Sequence, residues 1–114
     1  MYVQVDLAAM PPTVSLEEPD DCKRFHVAVL NGRDPATVFG ALVDAAAGRL
    51  EGDDAWITVD SVRRMAKGRV GPGWDADFEA MLRFAASKGW LDETGGSIRA
   101  HVEWQGAAGG GDAT

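Results

Sequence analysis

Apolar and polar residues alternate at the start of the chain. Val3, Val5 and Leu7 fall on one side and Tyr2, Gln4 and Asp6 on the other, the period-two pattern of a half-buried strand. Pro11-Pro12 ends it, because proline cannot donate to a strand ladder. Phe25-His26-Val27-Ala28-Val29-Leu30 reads as a second strand, closed by the turn dipeptide Asn31-Gly32. The period then changes. Asp34-Pro35 supplies an N-cap and a proline at the first helical position, and Val38, Phe39, Leu42, Ala46 and Leu50 recur at helical spacing. The pattern predicts a first helix running to Gly52-Asp53-Asp54.

Trp56-Ile57-Thr58-Val59 is a short β-like run, after which Thr58 or Asp60 is expected to cap a second helix with Val59, Val62, Met65 and Ala66 inward and Gly68 as its stop. Val70-Gly71-Pro72-Gly73 must turn. Asp75 is expected to cap a third helix whose inward stripe is Phe78, Met81, Leu82 and Ala85, ended by Gly89. Trp90-Leu91, the turn Asp92-Glu93-Thr94-Gly95-Gly96 and the alternating run Ile98, Ala100, Val102, Trp104 read as a β-hairpin.

From Asp34 to Trp104 the order is helix, short strand, helix, turn, helix, hairpin. That order resembles the winged helix-turn-helix superfamily. The resemblance is carried by Trp56-Ile57-Thr58-Val59 leading into Asp60-Ser61-Val62-Arg63-Arg64-Met65-Ala66, and by Ser87-Lys88-Gly89-Trp90-Leu91 leading into the hairpin. It is a likeness in the order of elements, without a specific family motif. It implies an α+β fold: a winged-helix-like three-helix core with a C-terminal β-hairpin, plus N-terminal strands. On this reading residues 1–33 are strands that extend the hairpin's sheet or mediate a dimer, residues 34–105 form the winged-helix-like domain, and residues 106–114 are a disordered tail, since GAAGGGDAT has little to pack. Phe39, Phe78, Trp56, Trp90 and Trp104 are the expected aromatic anchors of the core.

Length and composition fit one globular domain: the chain has 114 residues, 46% of them apolar. No apolar run approaches the roughly 18 residues of a membrane helix, and Met1 to Pro12 has neither the basic nor the long apolar region of a secretory signal. The single cysteine, Cys22, excludes an intrachain disulfide and points to a reducing cytoplasm. Heavy use of Ala, Gly, Val, Asp and Arg matches a high-GC bacterial genome. The acidic loop Glu17-Glu18-Pro19-Asp20-Asp21 reads as solvated, and His26 and His101 lack neighbours at metal-ligand spacing. No metal and no cofactor is expected; Arg69-Val70-Gly71-Pro72-Gly73-Trp74 lacks the glycine spacing of a nucleotide-binding loop.

Charge sets the resemblance against itself. The net charge is −7, whereas a duplex-binding domain carries a basic footprint because phosphate neutralisation supplies most of its affinity. The resemblance implies that the third helix enters the major groove, yet its solvent side offers Ala76, Glu79, Ala80, Arg83 and Ser87, with Asp75 and Asp77 at its leading end. The one basic concentration is Arg63, Arg64, Lys67 and Arg69, with Arg99 added by the hairpin. Arg63, Arg64, Lys67, Arg69, Arg83 and Arg99 are therefore the candidate contacts to nucleic acid or to an acidic partner, and a solvated helix face is the plain alternative. Trp74 is either a lid on the core or an exposed partner anchor. No set of nucleophile and acid–base groups is spaced as an active site. The expectation is a non-enzymatic domain for protein–protein contact or self-association, with no membrane partner; the alternative is a DNA-binding transcriptional regulator using the Arg63–Arg69 cluster.

Overall fold

The computed structural model describes residues 1–106. The elements run β1 (Tyr2–Asp6), β2 (Thr13–Glu17), β3 (His26–Leu30), α1 (Pro35–Asp44), β4 (Gly48–Glu51), β5 (Asp54–Thr58), α2 (Val59–Ala66), α3 (Trp74–Ser87) and β6 (Ser97–Gly106). The strands form one six-stranded sheet in the order β2-β1-β3-β6-β5-β4. The β1–β3 and β3–β6 pairs are parallel, while β1–β2, β4–β5 and β5–β6 are antiparallel.

This corrects the expected fold class. The chain is a mixed, curled half-barrel sheet with three helices laid on it, not a three-helix core with a wing. The hairpin is the clearest departure: Leu91 makes a single bridge to Ile98, and the strand that follows inserts between β3 and β5 at the middle of the sheet. The tail expected at the C-terminus lies outside the described residues, apart from Gly106, which ends β6.

Register explains which face is covered. Val3 pairs with Leu16 and Val27, Val5 with Val14 and Val29, Val27 with Val102, Ala55 with Ala100, and Ile57 with Ile98. Paired residues share a face, so these side chains make one continuous apolar surface. Val38, Ala41 and Leu42 of α1, Val62 and Ala66 of α2, and Trp74, Phe78 and Ala85 of α3 pack on it in a single core. Each fully buried Val, Leu or Phe there contributes about 1.5–3 kcal/mol. The other face carries Tyr2, Gln4, His26, Asp54, Trp56, Arg99, His101 and Glu103, which are half-buried or exposed.

Local chemistry sets the helix ends. Asp34 caps α1 by accepting from the Ala36 N–H and the Thr37 hydroxyl. The helix stops at Asp44, well short of the predicted end at Gly52-Asp53-Asp54, because the Ala46 and Ala47 N–H groups fold back on the Val43 and Leu42 carbonyls with Ala46 at φ 54°. Glycine is the usual residue at that turn position, but here it stands two residues later. At Gly48 a Cβ would lie 1.9 Å from the Trp56 carbonyl oxygen, so close strand approach claims the glycine. Leu50 then sits on β4. Thr58 caps α2 through the Ser61 N–H. Gly73, with no side-chain cap, precedes α3, so Asp75 lies inside the first turn instead of capping it.

The aromatic anchors divide. Phe78 is fully buried and Trp104 packs against the core, but Phe39 is 44% and Trp90 43% exposed. Trp56 is on the open face, donating to the Glu51 carboxylate, with Arg49 5.5 Å from its ring centroid.

Candidate protein-binding groove

The third helix carries two apolar surfaces. Phe78 and Ala85 face the sheet, with Met81 and Leu82 half-buried beside them. At 3.6 residues per turn Phe84 lies roughly 120° around the helix from Phe78, and it is 56% exposed. Beyond the helix, Gly89 at φ 77° turns the chain so that the Trp90 N–H reaches the Ala85 carbonyl at 2.8 Å. A side chain at Gly89 would strain that left-handed backbone. The Trp90 carbonyl in turn accepts from the Arg99 N–H at 2.7 Å. Main-chain bonds thus hold Trp90 in place, and its ring meets Phe84 edge-on, with centroids 5.8 Å apart and planes at 71°.

The facing wall is the segment from Pro19 to Phe25. Asp21 fixes its turn by accepting from the Lys23 N–H at 3.0 Å, which holds the Asp21 carboxyl below its usual range. The Met1 amino group donates to the Asp21 and Arg24 carbonyls, and the Trp74 indole N–H donates to the Pro19 carbonyl at 2.7 Å. Between this segment and α3 lies a cavity of about 500 Å³ lined by Asp20, Cys22, Asp77, Met81 and Phe84 among others. A smaller cavity continues it past Arg24, Phe25, Phe84 and Trp90, sharing Lys23, Met81 and Phe84 with the first. A third, of about 440 Å³, opens onto the bare sheet face beside Asp54 and His101. The first two share a wall and make one groove with an aromatic midpoint.

The groove is electrostatically uneven. Burial, followed by the neighbouring Asp77 carboxylate, pushes the Cys22 thiol above its usual range, so it stays protonated at neutral pH. Lys88, just past the end of α3, stands 5.5 Å from the Phe84 ring centroid.

Of the residues singled out from sequence, Arg99 lines the far end of the groove, Arg63, Lys67 and Trp74 line a separate cavity of about 290 Å³, and Arg64, Arg69 and Arg83 line neither. Arg63 lies 3.6 Å from Asp75, hydrogen-bonds Glu79 and sits 5.0 Å from the Phe78 ring centroid. Arg64 donates to the Ala45 carbonyl at 3.0 Å and Arg69 to the Leu16 carbonyl at 2.6 Å. Arg99 donates to Asp54 from Nε and Nη2, each at 2.8 Å. Lys67, just past the end of α2, and Arg83, on α3, are exposed. Trp74 is 6% exposed, stacked on Phe78 at 4.7 Å with its N–H occupied, which leaves little of the ring for an anchor.

His26 stacks on Tyr2 at 4.9 Å and lies 3.8 Å from Glu103, and His101 lies 3.9 Å from Asp54. Among the described residues no three His, Cys, Asp or Glu side chains are grouped to hold a metal ion, and no helix is long and apolar enough to cross a membrane.

Sequence reasoning missed Phe84 and placed Trp90 in the core. The available signal was an apolar residue off the Phe78/Met81/Leu82/Ala85 stripe. Compared with known proteins, the chain matches no family model, no curated protein and no solved structure.

Proposed function

We propose that the chain is a non-enzymatic binding module that takes a protein partner in the groove between α3 and the Pro19–Phe25 segment. The observation that carries this reading is the exposed Phe84–Trp90 pair, held edge-on by main-chain bonds at the centre of a continuous groove. A large aromatic side chain left in water forgoes much of the roughly 1.5–3 kcal/mol that burial gives, and aromatic anchors dominate binding at protein interfaces. Pre-ordering by the Gly89 turn lowers the entropy lost on docking. A thiol kept protonated by its surroundings favours contact over nucleophilic chemistry, and the single cysteine suits a reducing compartment such as the cytoplasm.

The nucleic-acid alternative loses support at the residues meant to serve it. Arg63, Arg64, Arg69 and Arg99 already have carboxylate or carbonyl acceptors, and the net charge of −7 opposes approach to phosphate.

A photo-crosslinking phenylalanine analogue at position 84, introduced in expressing cells, tests the proposal. Adducts of defined mass are expected from position 84 and not from position 103 on the bare sheet face. Adducts from position 103 alone would overturn it. So would a duplex mobility shift at physiological salt that Arg63→Glu with Lys67→Glu abolishes.

A further inference from the structure

The groove is polar along its length. Its first end is ringed by Asp20, Asp21 and Asp77. Its middle is Met81 and Phe84, shared by both cavities. Its far end is ringed by Arg24 and Arg99, with Lys88 over the Phe84 ring. Lys23 lies between the ends.

A surface with anionic and cationic ends about an apolar centre is complementary to itself after a two-fold rotation. The rotation sets Phe84 and Trp90 against their own copies and places each acidic end on the other copy's basic end. That is the requirement of an isologous interface. Resting on the groove as a protein-binding site, we infer that its occupant is a second copy of this chain, paired antiparallel about the Phe84–Trp90 contact.

The net charge of −7 per copy does not decide against this. The screening length is about 8 Å at physiological salt, so the facing Asp20, Asp77, Arg24 and Lys88 count and charges on the far side do not. Of the acidic residues, Asp21 is committed to the Lys23 turn. Of the basic ones, Arg99 is committed to Asp54. Asp20, Asp77, Arg24 and Lys88 are exposed and can be reversed without undoing those bonds.

Sedimentation equilibrium on the purified full chain tests the pairing. Wild type is expected to dimerise, and Phe84→Ser to weaken the dimer at least tenfold with its urea midpoint unchanged. Asp20→Lys with Asp77→Lys makes both ends cationic, and Arg24→Glu with Lys88→Glu makes both anionic. Each double variant alone is expected to be monomeric, and an equimolar mixture of the two to form a heterodimer.

The thiol gives a second reading. Cys22 lines the acidic end, so its labelling by a neutral maleimide should slow as wild-type concentration rises and not in Phe84→Ser. A wild type that stays monomeric to millimolar concentration overturns the inference. So does a dimer indifferent to Phe84→Ser, or a charge-swapped mixture that stays monomeric. A monomeric wild type that still gives adducts to another protein from position 84 removes the second copy and leaves the binding groove standing.

Discussion

The two ends of α3 are built from similar materials and finished differently. At the N-terminal end Trp74 stacks on Phe78, the indole N–H has the Pro19 carbonyl, and Arg63 spans Asp75, Glu79 and the Phe78 ring. At the C-terminal end Phe84 and Trp90 meet edge-on and Lys88 stands over Phe84. Each end has two aromatic rings and a cation. The difference is that the first pair is closed by the sheet and the Pro19 segment, with exposures of 6% and 0%, while the second stands 56% and 43% exposed. Aromatic content alone therefore says little about role. What separates the two ends is whether the apolar area already has a cover.

The largest effect expected from that contrast is on stability. Phe78→Ala should cost about 3–5 kcal/mol in urea unfolding, as cavity-forming core substitutions do, whereas Phe84→Ala should cost under about 0.5 kcal/mol. Equal losses would erase the distinction between the ends. Next comes the buried indole: Trp74→Phe keeps the ring stacking and loses the bond to Pro19, for about 1 kcal/mol, while Trp90→Phe should change stability by no more than a few tenths. A double-mutant cycle on Arg63 and Glu79 is expected to give about 0.2–1 kcal/mol of coupling, which places the closed end's hold in its rings more than in its ion pair.

The smallest effect concerns pH. Asp21 is held below its usual 3.8, first by the Lys23 N–H. A depressed folded-state pKa gives stability that is present above the unfolded value and is lost as pH falls through the folded one. Urea midpoints measured downward from pH 5 should therefore fall on the acid side of 3.8, and fall less in Asp21→Asn. An unchanged slope in that variant would show that the groove wall does not lean on this carboxylate.

Much of the local structure was legible in the chain. The strands at Tyr2–Asp6 and His26–Leu30, the Asp34-Pro35 helix start and the extent of α2 follow from period and capping, and α3 follows from its apolar stripe, though not from the expected Asp75 cap. Besides β2 (Thr13–Glu17), whose short Val14/Leu16 alternation between two prolines and an acidic loop does not read as a strand, what failed was long-range. The spacing Leu42, Ala46, Leu50 suits a continuing helix, and only the backbone clash at Gly48 against Trp56 shows that the chain is already in a sheet by then. Likewise Ile98, Ala100 and Val102 announce a strand but not its neighbours. Pairing β6 with β3 across some seventy residues leaves no mark on local pattern, so a hairpin was the default reading. The candidate groove was half legible: Phe84 stood off the helical stripe, but Trp90 could be called surface or core only once the path of β6 was known. The basic cluster misled because sequence proximity of cations hides the acceptors that tertiary structure brings to each.

The position of β6 has a consequence for how the molecule is made. Among the described residues the β2-β1-β3 and β5-β4 groups meet only through β6. Until Ser97–Gly106 is available, β3 and β5 each lack their partner and would present an edge of unpaired N–H and C=O groups of the kind that invites wrong partners. The sixth strand acts as a keystone: the same ten residues satisfy the β3 edge on one side and the β5 edge on the other.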